Sequence, residues 1–427
     1  MPLTISAKAA PTVTVLDSGL TVIHHAISDS AVVTMDVWVK AGSRVEPEPW
    51  AGMAHFLEHM IFKGTENLAP GVFDQVVEGV GGSTNAATSY DYAHYYVTVA
   101  ADQGRTALAP LADLLVGAAI PDEEFSRERS VVLEEIRQAA DNPDWLGYEA
   151  LLAMVYPDHP YGRPILGTPE TLMGRSPKEM RQFHRCHYQP KNMTVAIAGQ
   201  VDRDTAMEWV EEMFGRFPYP ESCLTKVTAI APTLPRGDRQ HMKLPYLEQA
   251  RLMMGWRCPG WAEQETTHGL DMLAVILGTG RMSRLVRELR EERQWVYDIA
   301  CECDVQTDST LFSITAWLDM DQVERVEAFI KEQLQALGDR PVEQAELDRA
   351  KRLLINDHQF SGETPSQLAA LYGFYNTMGT FDEALTYPKH VQAISTSLIQ
   401  QVAQEYLANS HYCAVILEPD TGEEDEE

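Results

Sequence analysis

The stretch GMAHFLEHMIFKGTEN, which begins at Gly52, sets His55, Glu58 and His59 inside an otherwise apolar run. On a helix His55 and His59 stand at i and i+4 with Glu58 at i+3, so all three project from one face. Two imidazoles one turn apart can grip a single zinc ion. Met53, Ala54, Phe56, Leu57, Met60, Ile61 and Phe62 make the segment apolar nearly all round, the pattern of a buried helix. Imidazole and carboxylate groups are costly to bury without partners, and a metal ion is one such partner. The plainer alternative is a pair of core or surface histidines beside a glutamate.

A catalytic zinc usually takes three protein ligands and leaves its fourth position to water. The third ligand has to come from elsewhere, and PDEEFSRERSVVLEEIRQAADNP, from Pro121 to Pro143, is the best source. Asp122 caps a helix there. Glu128, Val132, Glu135 and Ala139 fall on one stripe of that helix, while Arg127, Ser130, Glu134 and Gln138 fall on another that is polar throughout. Glu134 therefore belongs to solvent, and Glu135 is the expected third ligand. Glu128, two turns earlier on the same stripe, can accept a hydrogen bond from a ligating histidine. A wholly solvated charged face is the alternative for this helix.

These helices need a frame. TVTVLDSGLTVIHHAI reads as a hairpin turning at Asp17-Ser18-Gly19, AVVTMDVWVKAG as a third strand, STNAATSYDYAHYYVTVA as a strand pair and MTVAIAGQV as a closing strand. Helices intervene after Pro70 and from about Arg105, Asp122, Asp144 and Ser176. The segment FPYPESCLTKVTAIAPTLPRGDRQ, rich in proline and without helical period, reads as a linker. The chain thus divides into residues 1–217, a linker at 218–240 and residues 241–427. The second part also mixes strands with helices, and its ending, STSLIQQVAQEYLANSHYCAVILEP, matches the helix-then-strand ending of the first, which suggests an internal duplication. The expected class is α+β: two duplicated domains, each an antiparallel sheet packed with helices.

Composition narrows the partners. The 427 residues carry 34 Lys and Arg against 63 Asp and Glu, a formal charge of −29, which argues against nucleic acid or an anionic membrane surface and favours cationic ligands. The terminal EPDTGEEDEE reads as a disordered solvated end. Six cysteines, Cys186, Cys223, Cys258, Cys301, Cys303 and Cys413, show no paired spacing and are expected as free thiols. No run approaches about 20 apolar residues, so no membrane span is expected. The N-terminus lacks targeting features, so the expected location is cytoplasmic, or an organelle stroma or matrix where a transit peptide has been removed.

Taken together, these motifs resemble the inverted-motif zinc peptidases of the pitrilysin and insulinase group. The chain is most similar to the half-length members, which include the mitochondrial processing peptidase and bacterial and plastid processing-type proteases. That family carries H-x-x-E-H with a glutamate about 75 residues on, and here 135 − 59 = 76. The resemblance implies His55, His59 and Glu135 as ligands of Zn2+, Glu58 as the base acting on a water activated by zinc, and Glu128 as support for a ligating histidine. It implies that the strand with Asn85 and Ala86 lines the cleft and takes up peptide, with Ala93 standing where a threonine is common. RELREERQWVYDI resembles the segment whose Arg and Tyr approach the scissile peptide, here Arg290 and Tyr297, with Tyr297 helping to hold the oxyanion. The implied function is a zinc metalloendopeptidase acting on short or unfolded peptides, including basic targeting peptides, and assembled as a clamshell homodimer. The alternatives are a non-catalytic core or scaffold subunit of the same fold, and the catalytic half of a heterodimeric processing peptidase.

Overall fold

The computed structural model describes residues 10–215, 217, 237–408 and 411–420. Most of the expected linker, the end of the acidic tail and Cys223 lie outside them. The chain forms two compact units, one from the described residues within Met1–Ile136, Pro164–Thr228 and Gln359–Leu385, the other from those within Arg137–Arg163, Ala229–His358 and Thr386–Glu427.

The first unit is built on six strands, β1 (Thr12–Val15), β2 (Thr21–Ala26), β3 (Val32–Val39), β4 (Ser83–Thr88), β5 (Ala93–Ala100) and β6 (Met193–Gly199), in the spatial order β1-β2-β6-β3-β5-β4. The expected hairpin is β1–β2, and Gly19 takes the left-handed turn position at φ +88°. One pair departs from the antiparallel expectation: β6 inserts beside β2 and runs parallel to it. β3 and β6 are buried along most of their length because helices cover both faces, which explains their near-continuous apolar runs. On one face, Val37, Tyr95 and Val97 pack with Phe56, Leu57, Leu111 and Phe125 in the main core. On the other, Ile23, Ala196 and Ala198 meet Leu368, Ala369 and Tyr372 of the helix Pro365–Met378. A Cβ on Gly373 of that helix would lie 2.2 Å from the Trp38 ring, so only glycine lets the helix settle there.

The second unit repeats the plan. Strands β7 (Arg239–Leu244), β8 (Ala250–Pro259), β9 (Asp298–Val305), β10 (Ser309–Leu318) and β11 (Cys413–Pro419) take the order β7-β11-β8-β10-β9, with β11 parallel to β7 and every other pairing antiparallel. Apart from β1, this is the order and sense of the first sheet, as an internal duplication requires. The exchange of helices is reciprocal. The helix Pro143–Val155, from the early part of the chain, packs on β8 and β11, where a Cβ on Gly147 would come 2.6 Å from Met253 Sδ.

Cys258, Cys301, Cys303 and Cys413 are free, but Cys186 is disulfide-bonded, which corrects the expectation of a reduced thiol there. Among the described residues no helix is long and apolar enough to cross a membrane.

Candidate metal centre

The helix Met53–Ile61 carries the three motif residues. Its start is fixed by Gly52 at φ +89°, where a Cβ would meet Leu166 O at 2.6 Å, and by the buried Glu46 carboxylate, which accepts from Gly52 N at 3.0 Å and Ala54 N at 2.6 Å. A carboxylate on the free N–H groups of a helix start is favourable twice over, through hydrogen bonds and the helix dipole. The second helix, Asp122–Ala140, follows Ile120, a β-branched residue held at φ +49°. Arg181 donates to Ile120 O at 2.6 Å and to Asp122 Oδ1 at 3.2 Å, which pins that strained entry.

The two helices bring His55, His59 and Glu135 together with one potential ligand atom from each lying within 4.8 Å of the others. His55 Nε2 stands 3.6 Å from Glu135 Oε1 and His59 Nε2 stands 3.5 Å from Glu135 Oε2. These separations are long for hydrogen bonds, yet they suit a shared ion, because ligands about 2.0–2.1 Å from a tetrahedral zinc stand roughly 3.3 Å apart. The residues therefore fit a metal ion by donor type and spacing. His55 is buried, and burial, with His59 adding to it, lowers its pKa to about 4, which leaves the neutral imidazole that a metal needs.

Glu128 Oε2 approaches His59 Nδ1 at 3.4 Å while its Oε1 accepts from Lys63 Nζ at 2.8 Å, so a carboxylate backs one imidazole. Glu134 is exposed, as the stripe assignment required. Glu58 accepts a hydrogen bond from Thr88 Oγ1 at 2.5 Å. Burial raises the pKa of Glu58, and Thr88, His59 and His94 partly oppose that rise. A base is more effective as its pKa approaches the working pH.

β4, with Asn85 and Ala86, is the outermost strand of the first sheet and pairs only with β5 among the described strands. Asn85 faces outward and exposed, whereas Ala86 turns to the core side. Arg290 and Tyr297 lie in the second unit, on a π-helical turn Val286–Glu292 and the segment beyond it, with Gln294 at φ +55° between them. Arg290 donates to Glu291 at 3.1 Å and Asp298 at 2.8 Å. Tyr297 is 54% exposed and donates to Asp319 at 2.9 Å.

Sequence reasoning missed Glu46, Thr88 and Arg181. Thr88 had a signal: alternation along β4 puts Thr84, Ala86 and Thr88 on one face. Arg181 had none, since its role depends on a backbone conformation at Ile120.

A fold of two duplicated α+β units with a two-histidine, one-glutamate centre on the first is that of a peptidase family. Residues 21–169 match the insulinase family, peptidase family M16, and residues 176–354 match the peptidase M16 inactive domain. The chain belongs to this family. It is 30% identical over 94% of its length to a Rickettsia bellii protein named an uncharacterized zinc protease, covering 96% of that protein. A Bacillus subtilis protein, also named an uncharacterized zinc protease, is 27% identical over 90% of this chain and 92% of its own. A crystal structure of a protease from Helicobacter pylori matches with a TM-score of 0.89 at 26% identity, covering 96% of this chain and all of that one. A peptidase M16 inactive domain from Pseudomonas fluorescens shares the fold at a TM-score of 0.87 and 19% identity, over 96% of this chain and 98% of that one.

Proposed function

We propose that the chain is a zinc-dependent endopeptidase. The observation that carries this reading is the convergence of His55, His59 and Glu135 beside the half-buried carboxylate Glu58. His55, His59 and Glu135 would hold zinc, with Glu128 orienting His59. Bound there, zinc would supply a Lewis acid that polarises the scissile carbonyl and acidifies water. Glu58, its position fixed by Thr88, takes the proton of the attacking water and passes it to the leaving amine.

Peptide adds to the open edge of β4 at Asn85 and Ala86, so backbone hydrogen bonds set the scissile bond and side-chain selectivity stays loose. The formal charge of −29 supports basic peptides, targeting segments among them. Arg290 and Tyr297 act from a second copy of the chain in a twofold homodimer, Arg290 binding the peptide and Tyr297 donating to the developing oxyanion.

The test is Glu58→Gln on the purified chain. It should retain bound zinc and lose hydrolysis of a fluorogenic peptide; full activity in that variant refutes the assignment.

A further inference from the structure

The helix Gln264–Gly278 follows β8 as the motif helix follows β3, so the two helices hold equivalent places in the duplicated plan. Set in register, HFLEH at His55 stands against HGLDM at His268: His55 matches His268, Glu58 matches Asp271, and His59 is replaced by Met272. The long helices align as well, since Pro143 matches Pro365 (365 − 143 = 222) and the same offset carries Glu135 to Asp357. The second unit therefore holds a worn copy of the first unit's centre rather than unrelated residues.

The worn copy keeps a pocket. Gln264, Glu265, His268, His390, Ala393 and Leu398 are among the residues that line a cavity of about 350 Å³. The His268 and His390 rings face each other there with centroids 5.6 Å apart, against 4.9 Å for the His55 and His59 pair. Two imidazoles that share one ion, each nitrogen about 2.0–2.1 Å from it, bring their ring centres to roughly this separation. Neither ring makes a hydrogen bond or ion pair among the described residues. The second imidazole of this pair thus comes from the helix Phe381–Ala393, since the aligned position in HGLDM is Met272.

We propose that the pocket of the second unit binds a divalent transition metal through His268 and His390, with water completing the coordination. The ligand chemistry is that of imidazole nitrogen donors. The Cys303 thiol, which feels the charge of Asp271, is held protonated by burial, and neither it nor Cys301 is among the residues that line the pocket. Behind the imidazoles, Asp271 accepts from Tyr387 Oη at 2.8 Å, and the Tyr387 ring stands edge-on to His268 at 5.2 Å. With two protein ligands instead of three, this site is the weaker of the two.

Zinc(II) alone is the probe, added to the full metal-free chain and followed by competition with a chromophoric chelator and by metal analysis. The wild-type chain should bind a second, weaker equivalent. His268→Ala and His390→Ala should each lose that equivalent and keep the tight one, while Glu135→Gln should lose the tight one and keep the weak one. His390 is exposed, so its variant threatens no packing, and circular dichroism checks the fold of both. A single equivalent in the wild type, or a weak equivalent that survives both histidine substitutions, overturns the proposal. Because the two sites are read separately, failure of the weak site leaves the reading of the first centre standing, and the converse holds too.

Discussion

Apart from β1 the two sheets share a strand order, yet the helix after β3 carries HFLEH and its counterpart after β8 carries HGLDM. In both, a hydroxyl donates to the motif carboxylate, Thr88 to Glu58 and Tyr387 to Asp271. The difference lies in what surrounds that carboxylate. Glu58 sits beside two histidines and a facing glutamate, next to an open strand edge. Asp271 has Met272 beside it in sequence where Glu58 has His59, and burial raises its pKa to about 6. Duplication preserved the scaffold and the habit of placing an acid there, while one lost imidazole and two shortened acids separated the two centres.

The comparison breaks most visibly in hydrolysis. Glu58→Gln should lower peptide cleavage by about 10²–10⁴-fold, whereas Asp271→Asn should leave it unchanged. Equal losses in a peptide assay would deny that the units differ in role. Next in size is metal affinity at the first centre. Glu135→Gln should weaken zinc binding by at least about 100-fold, beyond the cost of losing an outer carboxylate, while the exposed Glu134→Gln should change stability by no more than about 0.5 kcal/mol. Competitive chelation that ranks the two glutamates the other way would overturn the face assignment.

A third measurement asks whether the units cooperate between chains. Glu58→Gln and Tyr297→Phe, each inactive alone, are mixed under conditions that exchange subunits. Half of the dimers are then mixed and each holds one complete site, so about a quarter of the activity should return. No recovery despite proven exchange would place the site within one chain.

The smallest effect is on stability. The pKa of Asp271 is raised above its ordinary value of 3.8 to about 6, first by burial, with Asp357 adding to the rise and Tyr387 opposing it. The folded state therefore holds this proton more tightly than the unfolded one. Its stabilising contribution is full below about pH 4 and is lost as pH rises through about 6, a change on the order of 2–3 kcal/mol. Asp271→Asn should flatten that part of the stability curve in urea titrations at pH 4.5 and 7, and an unaltered slope would show that Asp271 is not the group responsible.

Much of this arrangement was legible in the sequence because it rests on local periodicity. The spacing of His55, Glu58 and His59 fixes a helix face, and the stripe through Val132 separates Glu135 from Glu134. The hairpin at Gly19, the strand pair and the closing strands follow from turn residues and alternation. What stayed hidden is non-local. The insertion of β6 beside β2 depends on pairing across most of the first half. Glu46 as a helix-end partner and the strained Ile120 depend on backbone conformations that residue types alone do not announce. The exchange of Pro143–Val155 and Pro365–Met378 between the two halves of the sequence was hidden for the same reason, since both helices read as ordinary members of their own halves.

That exchange bears on how the protein is made. The faces of β3 and β6 that the helix Pro365–Met378 covers are synthesised well before the helix itself. At ribosomal rates of about 5–20 residues per second, the interval from Gly199 to Met378 lasts roughly ten to forty seconds. Throughout it, Ile23, Ala196, Ala198 and Trp38 lack their cover. A nascent chain of this kind presents an apolar sheet face long before it can close, and a chain cut between residues 217 and 237 leaves each half short of a helix that only the other half encodes.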